Sequence, residues 1–155
     1  IEFMDRVQGL QCSNVARTVG DFVLKRRDGL FAYQLAVVVD DAFQGITDIV
    51  RGADLLSSTA RQVVLQQALR LPSVTYMHLP IAVGTAGIKL SKSEDAPALS
   101  RSSPAAQLVV ALELLRQAPP AGLARASLAE VWQWAIAHWQ PQRFTGVRTG
   151  TMTFA

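Results

Sequence analysis

The apolar residues change their period along the chain, and that change limits the folds open to it. Up to about residue 83 the apolar runs are short, β-branched and set apart by turn residues; beyond about residue 100 they recur at helical spacing. "DFVLKRR" (21–27) and "LFAYQLAVVVD" (30–40) read as strands joined by an Asp-Gly turn, with "AVVV" apolar on both faces as in a buried strand. "GITDIVRG" (45–52) reads as a third strand. "SSTARQVVLQQALRLP" (57–72) carries Val63, Val64, Gln67, Ala68 and Leu71 on one helical stripe, with Thr59 and Gln62 spaced as a capping box and Pro72 as the stop. "VTYMHLPIAV" (74–83) is a further strand, interrupted at Pro80. Ser103 and Pro104 open a helix over 104–117, and a capping box of Ser127 and Glu130 opens another over 128–139. Trp132, Ala135, Ile136 and Trp139 share one face of that last helix, and its tryptophans read as core.

Strands alternating with a helix, then a helical region, predict an α/β fold with a mixed sheet. The expected organisation is a segment over 1–19, a sheet-and-helix core over 20–100, a helical region over 101–145 and a tail over 146–155. Ile1–Phe3, ahead of Met4, read as cloning residues, and "GVRTGTMTFA" at the end reads as a frayed or unnatural tail.

With 155 residues, half of them hydrophobic and 17% charged, the chain is long enough for one domain with a real core and is not disordered in composition. No apolar run is long enough to span a bilayer, and Glu2 and Asp5 come too early for a signal peptide, so the expected compartment is the cytoplasm. The lone Cys12 excludes an internal disulfide and a multi-cysteine zinc site. A net charge of +3 permits a polyanionic partner without demanding one.

Few residues stand out as chemistry. Arg51 lies at a strand end directly before glycine, where a guanidinium could grip a carboxylate in bidentate fashion or simply pair with Asp48 or Asp54. Tyr33, read on a strand, shares a face with Phe31, Leu35, Val37 and Val39 and reads as a core tyrosine with its hydroxyl toward a polar cleft. Asp40 and Asp41, as strand neighbours, would point to opposite faces and so not act on one atom. His78 and His138 lack ligand spacing and read as structural. "GTAGIKLSKSEDAP" (84–97) sets Lys89 and Lys92 around Ser91 after a glycine-rich turn; it suits a pyrophosphate leaving group, or equally a solvated connection, and it lacks the Walker spacing of a P-loop.

In combination these pieces carry a resemblance. "KLSKS" (89–93) resembles the KMSKS signature of class I aminoacyl-tRNA synthetases, and residues 21–62 resemble the second half of the glutamyl-tRNA synthetase catalytic domain. "DGLFAYQLAVVVDD", "RGADLL" and "WAIAHWQPQRF" are most similar to a shortened paralogous family, the glutamyl-Q tRNA(Asp) synthetases. The resemblance implies the second half of a class I synthetase Rossmann-like catalytic domain, followed by a helical region. It implies ATP-dependent activation of glutamate, with Mg2+ accompanying ATP, and transfer to the queuosine base of tRNA(Asp). Tyr33 and Arg51 would bind glutamate; Lys89, Ser91 and Lys92 would bind ATP, with Lys92 catalytic. Nothing like the HIGH signature occurs, and Cys12 does not match the family's zinc ligands, so the resemblance also implies a C-terminal half, inactive alone, that dimerises or pairs with its missing half. A fragment of a discriminating glutamyl-tRNA synthetase, or a non-catalytic module binding tRNA or protein, are the rival readings.

Overall fold

A computed structural model describes residues 1–91 and 102–152. The chain divides into two compact units, Ile1–His78 and Leu79–Ala155.

The first unit is built on a four-stranded sheet with strand order β2-β1-β4-β3. β1 (Glu2–Asp5) and β2 (Gly9–Cys12) form an antiparallel hairpin, and β1 also pairs in parallel with β4 (Thr75–Leu79). The sheet is therefore mixed, as expected. β3 (Asp48–Gly52) lies where the third strand was predicted. Ile1–Phe3 are not extraneous to this fold, because Glu2 and Phe3 are β1 itself, in register with Cys12 and Gln11.

The predicted hairpin over 21–40 is not there. Residues 21–27 are irregular apart from one bridge between Lys25 and Phe31, and Tyr33–Phe43 is a helix, α2, after the short α1 (Val15–Thr18). Three successive valines suggested a strand buried on both faces, but their unfavourable helix propensity amounts to only about half a kcal/mol each. Tertiary packing outweighs that: Gln34, Val38, Asp41 and Ala42 turn inward at helical spacing. Exposed Val39 and Phe43 lie on the opposite side.

α3 (Leu56–Ala68) packs against α2. Its inner face is not the predicted stripe of Val63, Val64, Gln67, Ala68 and Leu71. The buried residues are Leu56, Ser58, Thr59, Ala60, Gln62, Leu65 and Gln66, four of the seven polar. Nor do Thr59 and Gln62 form a capping box, because the helix starts earlier, with Leu55 as N-cap.

In the second unit, β5 (Ile81–Val83) begins directly after Pro80, which breaks the predicted 74–83 strand in two. β5 pairs in parallel with β6 (Thr149–Thr151), so the supposed tail is a strand. Gly150 fits there because a Cβ would come within 2.5 Å of Leu114 Cδ1. α4 (Pro104–Leu114) and α5 (Leu128–Ala137) enclose a core of Val109, Leu112, Val131 and Ala135. The Ser127–Glu130 capping box is present. Trp134 packs on this core, whereas Trp132 and Ile136 are largely exposed and form, with Trp139 and Leu108, an open apolar groove of about 340 Å3.

Candidate functional site

Arg51 is the penultimate residue of β3, and the neighbouring strand β4 places His78 within reach of it. From β1, on the other side of β4, comes Asp5, buried like His78. Across these strands runs a chain of hydrogen bonds. The His78 Nδ1 stands 2.6 Å from Asp5 Oδ2, and Arg51 Nε donates to His78 Nε2 at 3.0 Å.

These contacts assign the imidazole proton. A guanidinium only donates, so His78 Nε2 must hold its lone pair and Nδ1 its proton, which goes to the carboxylate. The electrostatics agree. Burial holds the His78 pKa below its ordinary 6.5, the Arg51 charge lowers it further, and these outweigh the opposing pull of Asp5. For Asp5, burial alone would raise the pKa; the bonds from the His78 ring and from the backbone N–H groups of Gln8, Val7 and His78 outweigh burial and leave it lowered. The chain is thus carboxylate, neutral imidazole, guanidinium.

The polar face of α3 completes the grip. Arg51 Nη2 donates to Thr59 Oγ1 at 2.9 Å and to Gln62 Oε1 at 2.6 Å. Gln62 in turn donates to Gln34 on α2, and Gln34 to Ser58. The Tyr76 ring lies 5.5 Å from the guanidinium, within cation–π range, and its hydroxyl accepts from Gln66. Every N–H on the Nε and Nη2 edge is therefore spent within the protein. Nη1 has no partner among the described residues. The bidentate grip expected of Arg51 would have to break one of these internal bonds.

Tyr33 stands at the start of α2, half exposed, and is not the core tyrosine of the strand reading. Burial raises the Tyr76 pKa above 10.0; the Arg51 charge lowers it, and Asp41 and Tyr33 raise it. Asp40 and Asp41 are separated by the helical turn: Asp40 is exposed and Asp41 faces in, where burial raises its pKa against the lowering influence of Arg51.

The lysine segment belongs to the second unit. After β5 the backbone turns at Gly84–Gly87, with Gly87 at φ 75°, and returns antiparallel so that Lys89 pairs with Val83 and Leu90 N–H donates to the Ala82 carbonyl. Glycine takes that left-handed position without the strain a Cβ would bring. Lys89 is thus held on a hairpin arm, followed by Ser91. Lys92 lies outside the described residues. No group of three or more His, Cys, Asp or Glu among the described residues could hold a metal ion.

Asp5, His78, Thr59 and Gln62 were not recognised as site residues. Thr59, Gln62 and Gln66 do share one helical stripe, and polar residues at that spacing on an amphipathic helix are a legible signal. Asp5 offered none.

A family model described as tRNA synthetases class I (E and Q), catalytic domain, matches residues 1–126. A glutamyl-Q tRNA(Asp) synthetase of Aromatoleum aromaticum is 57% identical over 139 residues, covering 90% of this chain and 44% of that protein. One of Dechloromonas aromatica is 58% identical over 137 residues, covering 88% and 46%. The chain spans about half the length of the curated relatives it matches. In fold it is similar to a crystal structure of glutamate-tRNA synthetase from Elizabethkingia anophelis, with a TM-score of 0.72 and 22% identity over 99% of this chain and 34% of that one.

Proposed function

This chain belongs to the class I tRNA synthetase (E and Q) catalytic-domain family, and from that premise we propose that it is the glutamate-binding and lysine-loop half of a glutamyl-Q tRNA(Asp) synthetase. The reaction has two steps. A glutamate carboxylate oxygen attacks the α-phosphorus of ATP, forming glutamyl-adenylate and releasing pyrophosphate. A hydroxyl of the queuosine base of tRNA(Asp) then attacks the adenylate carbonyl, and AMP leaves.

One observation carries the reading: a guanidinium held by four side chains, Tyr76, His78, Thr59 and Gln62, with Nη1 left without a partner among the described residues. Such an arginine is built to receive one carboxylate in one orientation. In this reading Arg51 and Tyr33 bind glutamate. Lys89 and Ser91 shape the ATP loop, and Lys92 stabilises charge on departing pyrophosphate. Mg2+ arrives with the ATP phosphates. The names of the relatives favour this paralogue over a discriminating glutamyl-tRNA synthetase. A cytoplasmic location goes with the reading, since tRNA is the acceptor.

The test joins this chain to the part of the Dechloromonas aromatica relative that it does not span. Glutamate-dependent ATP–pyrophosphate exchange is expected from the chimera and not from the chain alone. Arg51→Lys, which loses the planar fork, is expected to raise the glutamate KM by about tenfold or more. Transfer should require tRNA(Asp) carrying queuosine and fail on the same tRNA with guanine in its place. Exchange by the isolated chain refutes the claim of inactivity. A glutamate KM untouched by Arg51→Lys refutes the role of Arg51.

A further inference from the structure

We propose that Asp5 and His78 are positioning residues for Arg51: they fix the guanidinium so that it presents only Nη1 to a carboxylate ligand. The inference rests on the reading of Arg51 as a glutamate-binding residue and adds to it two residues and a binding mode.

Asp5 sits at the end of β1 with no freedom left. Its Oδ1 accepts from the backbone N–H groups of Val7 at 3.1 Å, Gln8 at 2.8 Å and His78 at 3.3 Å, and its Oδ2 takes the imidazole N–H. A carboxylate held by four donors fixes the plane and tautomer of the ring it accepts from. Stacking on Tyr76, at 6.0 Å and 17° between planes, holds the same ring from its face. The Nε2 lone pair is then aimed at Arg51 Nε, and Thr59 and Gln62 fix the guanidinium's rotation about that bond.

An imidazole between carboxylate and guanidinium does something that a direct ion pair would not. Were Asp5 paired with Arg51, its negative charge would cancel most of the pull on an incoming anion. With a neutral ring between them, the arginine is oriented by the carboxylate yet keeps its attraction for a ligand. A purely packing role would be filled at lower desolvation cost by apolar side chains. The polar chain also ends on a half-exposed cation, where a scaffold element would end in the core.

Two measurements test this. In the chain itself, 15N NMR of histidine side chains should show His78 protonated at Nδ1 and bare at Nε2, with the Arg51 Nε–H slow to exchange. His78→Asn keeps a donor toward Asp5 but removes the acceptor, and should release the Arg51 Nε–H to fast exchange. His78→Gln, which can place an oxygen where Nε2 was, should preserve it. In the chimera, His78→Asn should raise the glutamate KM about 10- to 100-fold, the worth of one hydrogen bond to a charged group, with the ATP KM and kcat within about threefold. His78→Gln should stay within about threefold throughout. A merely structural role lowers kcat through the active fraction and leaves the glutamate KM alone. A proton on Nε2 in the folded chain, or a wild-type glutamate KM for His78→Asn, overturns the proposal. If Arg51→Lys itself leaves the glutamate KM unchanged, the glutamate reading fails instead, and the exchange protection of Arg51 decides the positioning role.

Discussion

Asp5 and His78 meet across 73 positions of chain, and His78 and Arg51 across 27. Neither separation shows in the residue types. An isolated histidine in a β-strand is ordinarily core, and this one is core; what makes it more is the guanidinium near the end of the neighbouring strand. The pair has a pH signature whose sign follows from the protonation states. His78 has its folded pKa below 6.5, so as pH falls through 6.5 the unfolded chain takes up the proton first and stability declines. Asp5, lowered from 3.8, adds stability that is complete above pH 3.8 and is lost below it. Asp41, raised by burial, acts with the opposite sign just above 3.8. Of the charged groups acting on His78, Arg51 deepens the upper step, and Asp5 and Asp54 oppose it. Urea midpoints should be flat above about pH 7, fall from about pH 6.5 downward, and fall again below about pH 4. His78→Gln should remove the upper step and keep the lower one.

Three helices close with the same device. After α2, α3 and α4 the residue past the cap turns left-handed, at Gly45 (φ 68°), Arg70 (φ 55°) and Arg116 (φ 55°). Ile46, Leu71 and Gln117 then donate back to the carbonyls of Asp41, Gln66 and Leu112, completing Schellman motifs. Only the first uses the residue that this geometry favours. Arg70→Gly should therefore stabilise the chain by about 0.5–1 kcal/mol and Gly45→Ala should destabilise it by about 1 kcal/mol, both read from urea midpoints. The same two arginines explain why helix ends were less legible than helix starts. Ser127 and Glu130 announce α5 by their chemistry, and Pro104 announces α4. The 104–117 and 57–72 predictions overran because no glycine marks the stop.

For the molecule as a whole, the outer face of α2 is the feature that the site does not use. Val39 and Phe43 are exposed along it, Phe43 to 92%, and Val39 lines an open hollow with Phe31, Leu35, Ala36 and Asp40. The second unit carries the groove at Trp132 and Ile136. Apolar patches of this kind mark surfaces that something covers. The chain spans about half of its relatives' length, and we propose the remaining half as the cover for α2. Phe43→Ser should leave the melting temperature of the chain alone nearly unchanged, within about 0.5 kcal/mol of stability. In the chimera it should destabilise by about 2 kcal/mol, the transfer cost of a buried aromatic. Equal small effects in both settings would leave α2 solvent-facing and refute the cover.

What the residues alone determined is what short-range chemistry writes into a sequence: the capping boxes and prolines that open α4 and α5, the apolar run of β3, the break at Pro80, and the tyrosine, arginine and lysine spacing that carries the family resemblance. What only the tertiary structure decided is where competing local preferences balance. The valines of α2 read as strand, but Gln34, Val38, Asp41 and Ala42 turn inward at helical spacing; Thr59 and Gln62 read as a capping box, but both hold Arg51. Ile1–Phe3 and Thr149–Thr151 read as extraneous until strands from distant positions paired with them. Burial and partner choice decide all three, and both depend on residues far away in sequence.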